Sequence, residues 1–409
     1  MSDITYSKQI DKCLVSEQTV VKVLDFGQHS YADTFIARDQ LNLSEPTFPL
    51  EVYLNSDSGH LQLGYASDPE ARYNLYPYSY TSSNSAYSRK HWDSYAQFVK
   101  GAYHHKGLVV EVGSNDGYLI GQFAGEDTHI LGIDPAESMA KLCLDNGIPC
   151  VKALFTNELA KTIHDHHGSA SLIMANNVFN HSNNPLDFAR GVSTLLSENG
   201  RFIFEVPYWG AMIEAGRFVD MVYHEHPSYF TVKSVFKLLN KAGLQIESFS
   251  VVDYHGGSLR VIAKKNDDSH TPKEVLETID HETNIGLFDV AFYEQLMLKF
   301  KHQRDAWLHN FYDLKLKDPA AVIIGVGAAA KANTWLNWHG LNGTMLHCIT
   351  DSSPHKQGKY TPLSRIPIFG DEEFAKHESP YALVLSWNIG QGLRDAILRI
   401  NPNTRFITQ

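Results

Sequence analysis

The sequence predicts an α/β protein with two parallel, Rossmann-like sheets. Three observations indicate this class. Short apolar runs alternate with helical patterns, turn residues bound each run, and the alternation occurs twice along the 409 residues. A chain of this length is too long for one ordinary core, so we expect several domains.

The first predicted domain, residues 1–85, is a small irregular module. It contains the turn-rich run LNSDSGH at 54–60 and the tyrosine-dense segment YNLYPYSYTSSNSAY at 73–87. Gly, Asn, Asp and Ser favour turns over regular elements. We therefore expect little regular secondary structure here.

The second predicted domain, residues 86–265, contains the main sheet. It starts with a helical pattern at 86–105, and four apolar runs predict its parallel strands: GLVVEVG at 107–113, THILGID at 128–134, ASLIMANNV at 170–178 and GRFIFEVP at 200–207. A helix that ends at Gly243 then precedes two strand patterns, which we expect to form an antiparallel hairpin.

The remainder of the chain predicts a helical connector over 266–310 and a second, smaller Rossmann-like domain over 311–409. Three apolar runs predict its strands: AVIIGVG at 321–327, LHCIT at 346–350 and YALVLSW at 381–387.

The composition is that of a globular enzyme, with 43% hydrophobic and 20% charged residues. A net charge of -11 argues against nucleic acid as a partner, because that affinity depends on neutralising phosphates with Lys and Arg. No signal peptide or membrane-spanning run is expected, and four scattered cysteines do not indicate a disulfide framework. These observations predict a cytoplasmic protein without a membrane partner.

The loop after the first strand of the main domain is the candidate cofactor site. A dinucleotide fold prefers glycine at three set positions, but Glu111 stands at the first of them, followed by Gly113, Asn115 and Gly117. Glu111 and the loop residue Asp116 would repel a pyrophosphate. They suit a cofactor with positive charge and no phosphate, such as S-adenosylmethionine (SAM).

Two later strand ends extend this candidate site. The second strand ends at Asp134, where a carboxylate can accept hydrogen bonds from ribose hydroxyls. The third is followed by Asn176, Asn177 and His181, which could hold the methionine part of SAM or touch the substrate, because ligands gather at the carboxyl ends of parallel strands. A solvated loop is the alternative for His181.

The stretch MVYHEHPSYF at 221–230 is the candidate catalytic segment. Pro227 disfavours a helical conformation for His226, so the segment is predicted to be extended or a loop. The two histidines are not four apart, as a helical zinc pair requires, whereas His and Glu suit proton transfer. A purely polar loop is the alternative.

With these motifs together, the chain resembles the SAM-dependent methyltransferases that methylate C3 of nucleotide-linked 4-keto-6-deoxy sugars. The resemblance spans nearly the whole chain and rests on these motifs: YPYS at 76–79, VEVGSNDG at 110–117, ANNVFNH at 175–181, FEVPYWG at 204–210, YHEHPSYF at 223–230, VVDYHGGSLRV at 251–261, GVGAAAKANTWLN at 325–337, TDSSPHKQGKYTP at 350–362 and LSWN at 385–388. It implies a class I SAM methyltransferase core and an activity in deoxysugar biosynthesis.

The resemblance also implies roles for individual residues. His226 is the expected general base at C3, with Glu225 orienting it or contacting the sugar. The other implied site residues are Tyr223, His181 and Tyr76 for catalysis, and Tyr78, Lys331, Asn333 and Asn388 for the nucleotide sugar. Packing is the alternative role for the tyrosines, and an ordinary core turn is the alternative for GVGAAAK at 325–331.

One departure from the family concerns zinc. Such proteins open with two Cys-x-x-Cys pairs, but the matching positions here are Cys13, Ser16, Asn55 and Ser58. One thiolate cannot complete a tetrahedral zinc site, so we expect no zinc and assign no metal ligands. The alternatives to a C-methyltransferase are an O- or N-methyltransferase on a nucleotide sugar, and a nonenzymatic module that binds SAM or nucleotide. The sequence leaves the oligomeric state open.

Overall fold

The computed structural model describes residues 7–69, 72–73, 81–83, 85–103, 106–216, 221–254, 256–267 and 270–407. The chain forms two compact units. Unit 1 comprises Met1–Val21, Tyr53–Gly216 and His226–Asp289, and unit 2 comprises Lys22–Val52, Arg217–Glu225 and Val290–Gln409.

The secondary structure alternates between strands and helices from residue 107 onward. The strands are β1 (Ser7–Gln9), β2 (Val21–His29), β3 (Phe48–Asn55), β4 (His60–Leu63), β5 (Tyr65–Ser67), β6 (Gly107–Val112), β7 (Thr128–Asp134), β8 (Cys150–Lys152), β9 (Ala170–Asn176), β10 (Leu196–Pro207), β11 (Ser228–Tyr229), β12 (Leu244–Val252), β13 (Ser258–Lys265), β14 (Ile323–Val326), β15 (Cys348–Thr350), β16 (Ile368–Phe369), β17 (Tyr381–Val384) and β18 (Arg405–Ile407). The α-helices are α1 (Ala86–Ala102), α2 (Tyr118–Gly121), α3 (Glu137–Asp145), α4 (Asn157–His167), α5 (Pro185–Leu195), α6 (Trp209–Ala215), α7 (Val232–Lys241), α8 (Lys273–Asn284), α9 (Val290–Lys317), α10 (Ala330–Trp338) and α11 (Gly390–Ile400).

The main sheet of unit 1 has seven strands in the order β12-β13-β10-β9-β6-β7-β8. Strands β8, β7, β6, β9 and β10 pair in parallel, whereas β13 is antiparallel to both β10 and β12. The predicted hairpin therefore forms, and the order is that of the predicted class I SAM methyltransferase core. The carboxyl ends of β6, β7 and β9 lie at one edge, where the predicted cofactor residues begin.

Local sequence explains why these elements form. The central strands are apolar on both faces because helices cover both sides of a parallel sheet, and Val109, Val110 and Ile173 are fully buried. Asn184 caps α5 by accepting a hydrogen bond from the Asp187 amide, and Pro185 occupies the first turn, where no amide donor is needed.

The first 85 residues differ from the prediction because they contain strands. The irregular assignment was wrong for β2 and β3, which are nine and eight residues long. The turn-rich run LNSDSGH is a turn between two strands, in which the Gly59 amide donates to the Asn55 carbonyl. In unit 1, β4 pairs with β11, a partner more than 160 residues away, which no local pattern indicates.

Unit 2 contains a second parallel sheet, ordered β16-β15-β14-β17-β18. The three predicted strands are present as β14, β15 and β17, and β16 and β18 extend the sheet at either edge. The long helix α9 packs through Trp307 and Phe311 against Trp335 of α10. In the described part of the chain, none of the helices is both long and apolar enough to cross a membrane.

Candidate active site

The candidate cofactor loop, residues 113–117, follows β6 and needs its glycines. Gly113, Asn115 and Gly117 all have positive φ, at 71°, 51° and 78°. The Gly113 and Ser114 amides both donate to the Ile133 carbonyl, at 2.7 and 3.1 Å, and so fix the loop to β7. A Cβ on Gly113 would lie 2.1 Å from Cγ2 of Val178, in the segment after β9. The loop therefore contacts the Asn176–His181 segment closely.

Buried carboxyl groups surround this loop. Glu111 is 5% exposed and accepts a 2.9 Å hydrogen bond from the Ile120 amide, and burial raises its pKa well above the ordinary range. Asp134, at the end of β7, accepts from the Asn115 and Ala136 amides, both at 2.9 Å, and burial raises its pKa to about 6. Such groups favour a ligand that brings positive charge or hydroxyl donors.

These groups fit the positively charged, phosphate-free cofactor expected from the sequence. Asp116 is also buried, but its Oδ2 accepts from the Ser83 hydroxyl at 2.6 Å and from the Ser83 amide at 3.0 Å. It therefore orders the loop.

The segment after β9 contributes amide side chains. Asn176 is the last residue of β9, and Asn177, at φ 53°, donates its backbone amide to the Glu205 carbonyl at 2.7 Å. The side-chain amides of Asn177 and Asn180 have buried atoms without a hydrogen-bond partner among the described residues. Asn180, which we did not predict, is 1% exposed. The repeated Asn in ANNVFNH was the signal that could have identified it.

His181 and His226 come together although 45 positions separate them. Their ring centroids are 4.6 Å apart at 87°, and His226 is 6% exposed. Phe179 and Phe230, both fully buried, stack at 5.3 Å and anchor the two segments. The Leu63 amide also donates to the carbonyl of Pro227, the residue after His226. His181 and His226 thus lie at the carboxyl edge of the main sheet, where the Asn176–His181 segment contacts the loop after β6.

Arg72 holds the His181 segment in place. Its guanidinium donates to the His181 carbonyl at 2.7 Å, to Oδ1 of Asn183 at 2.8 Å and to Oγ of Ser67 at 3.0 Å. Arg72 does not belong to any of the motifs named above, so it was not selected as a site residue from the sequence.

The other residues of the Tyr-His-Glu-His motif belong to unit 2, and two of them have defined contacts. Oε1 of Glu225 accepts from the Ala32 and Asp33 amides at 3.1 and 3.3 Å. His224 is 1% exposed, and burial lowers its pKa to about 4, so it is neutral at pH 7. Tyr223 is half-buried. Glu225 thus binds backbone within its own unit, and its predicted role toward His226 stays a prediction.

The residues of unit 2 that were predicted to contact the nucleotide sugar have different surroundings. Lys331 is in the first turn of α10, with its ammonium 4.7 Å from the Trp387 ring centroid. Asn333 donates from Nδ2 to the Ala32 carbonyl at 2.5 Å. The Asn388 backbone is in the 3-10 helix Trp387–Ile389, but its side chain, and Tyr76 and Tyr78 entirely, lie outside the described residues.

The positions of the expected zinc ligands form a hydrogen-bonded group. Sγ of Cys13 lies 3.4 Å from Oγ of Ser58, and that hydroxyl donates to Oδ1 of Asn55 at 2.7 Å. The amide of Ser16 donates to Sγ of Cys13. Hydroxyl and amide groups are poor zinc ligands. The absence of zinc from these four positions stays a prediction.

Three family models match the chain. Residues 91–248 match "Methyltransferase domain", residues 253–408 match "C-methyltransferase C-terminal domain", and residues 13–73 match "Putative zinc binding domain". Together they extend over most of the sequence in the order predicted for the resembled family.

A curated relative and solved structures are also similar. The C-methyltransferase NovU of Streptomyces niveus is 29% identical over 399 residues, which cover 97% of this chain and 93% of NovU. The SAH-bound magnesium protoporphyrin IX methyltransferase ChlM of Synechocystis is 14% identical, with a TM-score of 0.35, over 44% of this chain and 83% of ChlM. The CcbJ methyltransferase of Streptomyces caelestis is 14% identical, with a TM-score of 0.34, over 42% of this chain and 89% of CcbJ. On the two methyltransferase family models and the end-to-end similarity to the C-methyltransferase NovU, the chain is a SAM-dependent methyltransferase.

Proposed function

We propose that this enzyme methylates C3 of a nucleotide-linked 4-keto-6-deoxy sugar, and that His226 removes the C3 proton. The observation that supports this best is the contact between His181 and His226 at the carboxyl edge of the main sheet. An imidazole here is close to the segment that contacts the cofactor loop, where a base for carbon methylation is needed.

The cofactor residues of the proposal are those at the ends of β6, β7 and β9. Glu111, Gly113, Asn115 and Gly117 would surround the methionine part of SAM, Asp134 would accept from the ribose, and Asn176 and Asn177 would complete the site. When bound, SAM supplies an electrophilic methyl group. The buried carboxyl groups support a cation here because a positive charge offsets the cost of their ionisation.

Carbon methylation requires an activated substrate. The C3 hydrogen of a 4-keto sugar is removable because the electron pair left behind spreads onto the ketone oxygen. A neutral His226 would take the proton. C3 of the resulting enolate would then form a bond to the methyl carbon of SAM, and the electron pair of the broken sulfur–methyl bond would remain on the sulfur. General base catalysis of this kind contributes typically ~10²- to 10⁴-fold.

His181 is the proposed neighbour that positions His226 or donates to the ketone oxygen. Its carbonyl is held by Arg72 and its segment by the stacked Phe179. Tyr223, Tyr76 and Tyr78 remain proposed substrate contacts, and Lys331, Asn333 and Asn388 remain proposed contacts to the nucleotide. The cytoplasmic location and the absence of nucleic acid and membrane partners also remain predictions.

The proposal is tested with His226→Gln and with His164→Gln, a control on α4 with a 47% exposed side chain. The probes are dTDP- and GDP-linked 4-keto-6-deoxy sugars in deuterium oxide. We expect His226→Gln to bind SAM as the unaltered enzyme does, yet to lose exchange of the C3 hydrogen and at least ~100-fold in methyl transfer. Undiminished exchange would remove His226 from this role.

The same assays separate the alternatives. Methyl transfer to a sugar that lacks the 4-keto group would favour an O- or N-methyltransferase. Tight binding of SAM and nucleotide without any methyl transfer would favour a nonenzymatic module.

A further inference from the structure

Three metal-ligating side chains converge in unit 2, away from the candidate active site. His347 directly precedes β15, Glu373 lies in the 3-10 helix Asp371–Lys376, and His377 follows that helix. Their ligand atoms all lie within 4.8 Å of one another, and within the described ranges no other three His, Cys or acidic side chains do so. We propose that these three residues, which the sequence did not indicate as metal ligands, bind one divalent transition-metal ion, with Zn²⁺ as the expected ion.

The distances suit a shared ion. Nε2 of His347 is 3.1 Å from Oε1 of Glu373, and Nε2 of His377 is 3.5 Å from the same oxygen. Zinc bonds to nitrogen and oxygen are about 2.0–2.2 Å long, so neighbouring ligand atoms of a tetrahedral site lie about 3.4 Å apart. An ion could therefore bind these atoms with small side-chain movements.

His377 provides a second observation. Its Nε2 is buried but has no hydrogen-bond partner in the described chain, although it faces the carboxylate. Burying a polar atom without a partner is costly, and a metal ion would satisfy it. The His347 side chain is 40% exposed, which leaves a route for the ion and room for water as a fourth ligand.

Neighbouring groups already hold the ligands in position. Nδ2 of Asn401 donates to the carbonyls of Phe374 and His377, at 2.9 and 2.7 Å, and fixes the end of the 3-10 helix. Nζ of Lys376 binds Oε2 of Glu373 at 2.6 Å, so that Oε1 remains directed to the two imidazoles. Outer contacts of this kind orient metal ligands.

The chemistry and position indicate a structural ion. Two imidazoles and one carboxylate suit Zn²⁺, Ni²⁺ or Cu²⁺, whereas Mg²⁺ and Ca²⁺ prefer oxygen ligands. The ligands precede β15 and β17, at the amino edge of the parallel sheet, whereas substrates bind at the carboxyl edge. We expect the ion to link the segment before β15 to the segment before β17, and thereby to raise the thermal stability of the protein.

The test uses untagged, full-length protein, stripped with chelator and titrated with Zn²⁺, Co²⁺ and, as a control ion, Mg²⁺. We expect one Zn²⁺ per chain by calorimetry, Co²⁺ absorption bands typical of four or five ligands, and no Mg²⁺ binding. His377→Ala and Glu373→Gln should each weaken Zn²⁺ binding by about tenfold or more, since even outer-shell changes cost that much. His309→Ala, on exposed α9, should bind as the unaltered protein does.

The proposal is overturned if no saturable Zn²⁺ binding occurs, or if His377→Ala and Glu373→Gln, each shown to be folded by circular dichroism, both retain it. A Cys13→Ala variant identifies zinc bound at the N-terminal module, because only that binding would be lost with the thiol. Zn²⁺ should also raise the Tm of the unaltered protein and not that of the two ligand variants.

Discussion

Replacing Gly113 with alanine should disrupt the cofactor loop for two reasons that the structure separates. The residue has φ +71°, and a side chain in the left-handed region costs roughly 1–2 kcal/mol. Its new Cβ would also lie 2.1 Å from Cγ2 of Val178, and overpacking of a tight site costs typically about 1–3 kcal/mol. We therefore expect Gly113→Ala to lower the free energy of unfolding by about 2–5 kcal/mol.

Gly147→Ala is the matched control. Gly147 has a similar φ of +80°, but an added Cβ would meet nothing within 4 Å. The free energy of unfolding of this variant should fall only by the cost of placing a side chain in the left-handed backbone region, roughly 1–2 kcal/mol. Adding Val178→Ala to Gly113→Ala removes the two methyl groups that clash, and should restore much of the remaining loss.

Urea unfolding gives the stability of the three variants, and calorimetry gives their affinity for SAM. If the clash displaces the loop, Gly113→Ala should bind SAM about 5- to 150-fold more weakly, corresponding to 1–3 kcal/mol, and Gly147→Ala should bind normally. Equal destabilisation by both alanines, with normal SAM affinity in both, would show that the loop does not depend on its contact with Val178.

Further predictions concern the surroundings of the site. Arg72→Met should lower kcat for methyl transfer on the order of 10- to 100-fold with SAM affinity unchanged, because it frees the His181 carbonyl; an unchanged kcat would exclude a positioning role. Arg260→Met should cost about 3–5 kcal/mol in urea unfolding by leaving the buried Glu205 carboxylate without its guanidinium, and Arg260→Met/Glu205→Leu should recover most of it. The pKa of Asp134 is about 6 when folded and about 3.9 when unfolded, so the folded chain binds more protons between these values. Its contribution to stability should therefore fall by roughly 2 kcal/mol as pH rises from 4 to 6, and Asp134→Asn should remove this slope from unfolding measurements at each pH.

The sequence by itself determined the strands β6, β7, β9 and β10, the hairpin β12–β13 and the cofactor loop. These features depend on local patterns: runs of apolar residues that must be buried on both faces, and glycines where the backbone has positive φ. Motif order was also enough to indicate the resemblance to methyltransferases and to propose His226 as the candidate base. Such signals extend over ten or so residues, and a single sequence displays them directly.

Only the tertiary structure decided which distant residues meet. It brought His181 to His226, Arg72 to the His181 carbonyl, and His347 to Glu373, and it placed β4 against β11. Each contact joins segments that lie 26 or more positions apart. Periodicity reports whether a side chain is buried but not against which partner, because the partner is set by how whole elements pack. His226 and His181 could therefore be named as candidates from sequence, whereas their mutual contact, the Arg72 contact and the proposed metal site could not.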